Sequence, residues 1–88
     1  MFIAHIGDEA REEAIKLASR LREAGKYIMV ATGNKSLKAQ LRQANNLGVS
    51  YAVIIGEEEV RSNTVSLRDM TTAHQKTVPP GELLELLK

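Results

Sequence analysis

The run Gly33–Glu59, GNKSLKAQLRQANNLGVSYAVIIGEEE, decides how the rest of the chain is arranged. It reads as loop, helix, strand, loop. Ser36 suits the N-cap of a helix, and Leu37, Leu41, Ala44 and Leu47 follow at spacings of four, three and three as one apolar stripe. Gly48 supplies the left-handed stop. Lys35, Lys38 and Arg42 line another side of the helix start. Tyr51–Ile55 reads YAVII without a polar break, as a strand buried on both faces does. Gly56 and three glutamates close the unit as an acidic loop. A central strand is thus bracketed by a basic, donor-rich helix start and an acidic turn.

On the N-terminal side, Phe2–Ile6 is a short apolar strand, and Asp8 can cap the helix that follows. Glu9, Glu12 and Glu13 suit the positive end of that helix. Ala10, Ala14, Leu17, Ala18 and Leu21 recur at helical spacing, with Arg11, Lys16, Arg20 and Arg22 off the stripe as a solvated face. Gly25 stops the helix, and Tyr27–Ala31 is a second strand. Two strand–helix units in succession predict a parallel sheet. His5 has no second metal ligand nearby and reads as a packed or rim histidine.

On the C-terminal side, Gly56 to Asn63 is too short for a helical crossover, so Thr64–Arg68 should return antiparallel. Its alternation puts Val65 and Leu67 on one face and Thr64, Ser66 and Arg68 on the other. Gln75–Val78 reads as a polar edge strand that limits edge-to-edge association. Pro79-Pro80 breaks it, and Leu83, Leu84, Leu86 and Leu87 drive a short closing helix. His74, among polar residues, meets solvent.

Composition narrows the function. The 88 residues make one domain, spanning 1–88, without room for a catalytic and a binding domain together. Met1 runs straight into a strand, as at a boundary cut from a longer chain. The absence of cysteine excludes disulfides, cysteine–zinc sites and thiol catalysis. No apolar run approaches the roughly 20 residues that span a bilayer, and no signal-peptide pattern opens the chain, so a cytoplasmic protein is expected. A net charge of +1 means that nucleic-acid affinity must come from a local patch.

Thr32–Ser36 invites comparison with a nucleotide-phosphate loop. The Walker pattern needs adjacent Gly-Lys-Ser and an earlier glycine, but Asn34 splits the motif and Ile28 stands where that glycine belongs. A triphosphate site is therefore not expected. Free N–H groups, a positive helix end and Lys35 still favour a phosphate, such as one on a polynucleotide.

The run KSLKAQLRQANNLGVSYAVIIGEEE, followed by TVSLRD, a polar strand and ELLELLK, resembles the C-terminal anticodon-binding domain of histidyl-tRNA synthetase. The likeness covers essentially the whole chain and is strongest from Lys35 to Asp69. It implies a three-layer α/β/α fold with three helices and a mixed five-stranded sheet in the order 2-1-3-4-5, strand four antiparallel. The element order read from the residues agrees. The resemblance also implies a role in holding the anticodon stem-loop of tRNA(His) for a catalytic domain of a homodimeric parent enzyme. That parent would use ATP and magnesium, with no cofactor in this domain. By motif position Asn34, Glu59 and Arg68 match base-contacting residues of the related threonine enzyme, while Lys35, Ser36, Lys38 and Arg42 would meet phosphates. Only Phe2, Tyr27 and Tyr51 are aromatic, so hydrogen bonds to base edges must discriminate more than stacking does. Four residues of strand place Arg68 about 13 Å from Thr64, so either Glu59 and Arg68 serve different bases or the strand starts later than Thr64. Two other readings share these elements: a synthetase-like accessory module that docks protein, and a small phosphate-binding flavodoxin-like enzyme.

Overall fold

The computed structural model describes residues 1–33 and 35–86, without the side chain of Leu84; Leu87, expected in the closing helix, lies outside the described residues. In chain order the elements are β1 (Phe2–His5), α1 (Asp8–Glu23), β2 (Met29–Val30), α2 (Leu37–Asn46), β3 (Tyr51–Ile55), α3 (Glu57–Ser62), β4 (Val65–Asp69), β5 (Gln75–Val78) and α4 (Glu82–Leu86). The strands form one mixed sheet in the order β2-β1-β3-β4-β5. β1 pairs parallel with β2 and β3, whereas β3–β4 and β4–β5 are antiparallel. This is the expected three-layer α/β fold.

The two faces of the sheet have separate cores. Ile3, Val53, Ile55, Val65, Leu67 and Val78 point to the face covered by α1, where Ala10, Ala14, Leu17, Ala18 and Leu21 are buried with Leu83 of α4. That α1 stripe is the one its spacing predicts. Each large aliphatic side chain buried this way contributes about 1.5–3 kcal/mol before chain entropy is counted. Phe2, Ala4 and Ile54 point to the opposite face, under Ala44, Leu37 and Leu41 of α2. Because β1 and β3 carry residues into both cores, the two layers share one central pair of strands.

Local departures from the sequence reading have local causes. Gly7, at φ 100, takes the N-cap position of α1, so Asp8 becomes its first residue, placed to meet the helix dipole but not to cap. β2 is only two residues long, since the chain leaves the sheet early, and Tyr27 is 82 % exposed. On α2 the buried stripe runs through Gln40 and Ala44, while Leu47, expected inside, is 46 % exposed at the end of the helix. The three glutamates form the first turn of a fourth helix, α3, and not a loop. Their charges suit its positive end, and Asn63 closes it in the left-handed region at φ 55. Six residues cannot cross over a sheet, so β4 returns antiparallel as expected, one residue later than predicted.

Candidate nucleic-acid interface

The start of α2 is built by its cap. Ser36, with extended φ and ψ, accepts the Ala39 N–H on its Oγ at 3.2 Å. The N–H groups of Leu37 and Lys38 in the first turn have no acceptor among the described residues. Lys35, Lys38 and Arg42 are all exposed. Among the described residues, no carboxylate lies within ion-pair distance of any of them; the ion pairs Lys16–Glu13 (3.6 Å) and Arg61–Glu58 (3.9 Å) sit on other helices. The positive charge of the stripe is thus uncompensated at short range. The right-handed sense of parallel crossovers turns the Lys38–Arg42 flank of α2 towards β3 and β4, away from the edge strand β2.

The sheet beyond that flank is polar. Arg68 pairs with Ala52, and Ser66 with Ile54, so both point to the α2 side of the sheet. Their partners across β5 are Gln75 and Thr77, both exposed. Arg68 donates from Nη1 to Gln75 Oε1 at 3.3 Å, which steadies the guanidinium, and among the described residues most of its five donors have no acceptor. Arg68 and the basic stripe therefore belong to one side of the molecule.

Glu59 stands elsewhere. Its Oε1 accepts the Gly56 N–H at 2.9 Å, the returning half of a capping box, so the side chain helps to start α3. It is half-buried and lines a cleft of about 470 Å³ beside Lys16 and Arg20 of α1. Arg61, two residues on, pairs with Glu58 and not with Glu59. Glu59 follows the C-terminal end of β3, whereas Arg68 lies level with Ala52 near its other end. The structure does not bring these two residues together, and the later start of β4 leaves the separation in place. Asn34 lies outside the described residues. His5 is buried with Nε2 2.8 Å from the Ala31 carbonyl, and His74 is exposed. No group of three metal-ligating side chains occurs among the described residues, and no described helix is long and apolar enough to cross a membrane.

Residues 1–88 match the family described as the anticodon binding domain. The chain belongs to that family. Within it, this anticodon-binding domain is 48 % identical to the histidine–tRNA ligase of Dehalococcoides mccartyi over 84 residues, which are 96 % of this chain and 20 % of that enzyme. It is 40 % identical to the ligase of Caldanaerobacter subterraneus subsp. tengcongensis over 88 residues, 21 % of that enzyme's length. Apo histidyl-tRNA synthetase of S. aureus superposes with a TM-score of 0.89 at 32 % identity, covering 99 % of this chain and 25 % of that one. The RNA binding domain of threonyl-tRNA synthetase from Cryptosporidium parvum shares the fold, with a TM-score of 0.90 at 23 % identity, covering 97 % of this chain and 22 % of that one. The domain spans about a fifth of the length of the curated relatives it matches.

Some polar groups of this anticodon-binding domain escape a reading of single motifs. Gln75 and Thr77 join Arg68 and Ser66 only through the β4–β5 register. Gln40 leaves one trace in the sequence: it falls at i+3 from Leu37 and i−4 from Ala44, where the apolar stripe would have a hydrophobic residue.

Proposed function

We propose that this chain is the anticodon-binding part of a histidine–tRNA ligase and positions tRNA(His) for aminoacylation by a catalytic domain outside the chain. The observation that carries the reading is the α2 side of the molecule. An uncompensated basic stripe of Lys35, Lys38 and Arg42 adjoins a polar half-sheet bearing Arg68, in a chain whose total charge is nearly balanced. Phosphates would lie along the stripe and the free donors after Ser36, which fixes register without reading sequence. Arg68 would offer its planar fork to a guanine, and Asn34, which can donate and accept, would contact a second base. Glu59 retains Oε2, so it could accept from a base amino or imino group while Oε1 keeps the cap. A splayed single-stranded loop fits this mixture of charge and hydrogen bonding better than a duplex does.

In this reading ATP, magnesium and histidine belong to the parent enzyme, a homodimer acting in the cytoplasm, and the chain alone activates no amino acid. The deciding experiment is filter binding of tRNA carrying the histidine anticodon against the same tRNA with that anticodon replaced. Preference for the former supports the assignment, and equal binding removes it. Histidine-dependent pyrophosphate exchange by the chain alone would contradict the division of labour.

A further inference from the structure

Gln40 is 1 % exposed on the sheet-facing side of α2, and its carboxamide is fully engaged. Oε1 accepts the His5 N–H at 2.9 Å, while Nε2 donates to the His5 carbonyl at 2.8 Å and to the Lys35 carbonyl at 2.8 Å. The first two bonds have a topological cause. Met1 and Ile3 present their carbonyls to the β2 edge, where Met29 and Ala31 N–H groups meet them at 3.0 and 2.9 Å. In a parallel ladder every second residue faces the same neighbour, so His5 turns both its N–H and its carbonyl the same way. The β2 chain has by then left the sheet after Ala31. The Gln40 carboxamide, with one acceptor and two donors, stands in for the missing peptide group. His5 adds a tie to the departing chain, donating Nε2–H to the Ala31 carbonyl at 2.8 Å.

The third bond has no such ladder role. It fastens the backbone of Lys35 to the end of β1 just before the Ser36 cap. We propose that Gln40 is a positioning residue for RNA binding, holding the Lys35 main chain so that its ammonium meets an RNA phosphate at the start of α2. The inference rests on the RNA-binding reading above. Shortening to asparagine withdraws the amide by one methylene, glutamate loses both donors, and methionine keeps the length but no polar group. Glutamine satisfies all three backbone partners at once.

A double-mutant cycle separates positioning from bulk stability. Binding of a fluorescent stem-loop with the histidine anticodon would be measured across a salt series for the unmodified chain, Gln40→Met, Lys35→Met and the double variant, with melting curves for each. The expected result is an about tenfold loss for Gln40→Met in the presence of Lys35 and less than about twofold in its absence. Each single variant should also flatten the log–log salt slope by about 0.7, one phosphate contact. If Gln40→Met is unfolded at the assay temperature, Gln40→Asn replaces it in the same cycle, since it adds no charge and keeps the carboxamide but withdraws it by one methylene from the Lys35 carbonyl. Equal losses with and without Lys35, or no loss at all, would overturn the positioning role while leaving RNA binding intact. Failure of the unmodified chain to bind the stem-loop would overturn both.

Discussion

Glu59 combines a structural and a candidate reading role in one carboxylate, and substitutions can separate them. Glu59→Ala removes the acceptor of the Gly56 N–H and should destabilise α3 by about 0.5–2 kcal/mol, whatever RNA is present. Glu59→Gln keeps an acceptor for that bond and replaces the other oxygen with a donor, so stability should change little. Binding to the matched stem-loop should then weaken by about 1–3 kcal/mol and binding to base-substituted stem-loops much less, with Arg68→Lys behaving alike because it loses the planar fork. The measurement is affinity for matched and substituted stem-loops beside a melt. Uniform losses would assign both residues to general electrostatics. Gln43 supplies a contrasting case: its buried Oε1 has no hydrogen-bond partner among the described residues. Gln43→Met removes that unpaired oxygen at similar volume and should raise stability by up to about 1 kcal/mol in urea denaturation.

At the scale of the element, α2 carries two jobs on two sides. Its inner face packs Leu37, Leu41 and Ala44 onto Phe2, Ala4 and Ile54, while Lys35, Lys38 and Arg42 face solvent. Reversing the three charges to glutamate should leave the fold in place and lower the log–log salt slope of RNA binding by about 2, near 0.7 for each lost phosphate contact. An unchanged slope would reduce the stripe to a solubilising surface. Much of α2 was legible in advance, because its cap, its glycine stop and its charge spacing are all local signals. The inward place of Gln40 was not, since it answers a gap left by β2, which is distant in sequence. Helix α3 was missed for a related reason. Its glutamates read as polar loop residues by composition, and only the Gly56–Glu59 bond and the left-handed Asn63 mark a capped turn.

The whole molecule is organised by β1 and β3, which feed both cores. Leu21→Ala on the α1 side and Phe2→Ala on the α2 side should each cost about 2–5 kcal/mol. In either variant, probes on the two faces should unfold together, because neither layer keeps a sheet without the central strands. Separate transitions by hydrogen exchange in α1 and α2 would show that the layers are independent. The sequence by itself determined the α/β class and the antiparallel return of β4, since periodicity, glycine stops and the shortness of the β3–β4 link act within a few residues of one another; the strand order followed only from the family resemblance. It also marked Arg68 and the basic stripe as polar. Only the tertiary structure decided which of these share a side, joining Arg68 to Gln75 and setting both on the α2 side of the sheet. Strand register and the handedness of crossovers relate residues far apart in the chain, and no local pattern encodes where a buried carboxamide must replace a departed strand.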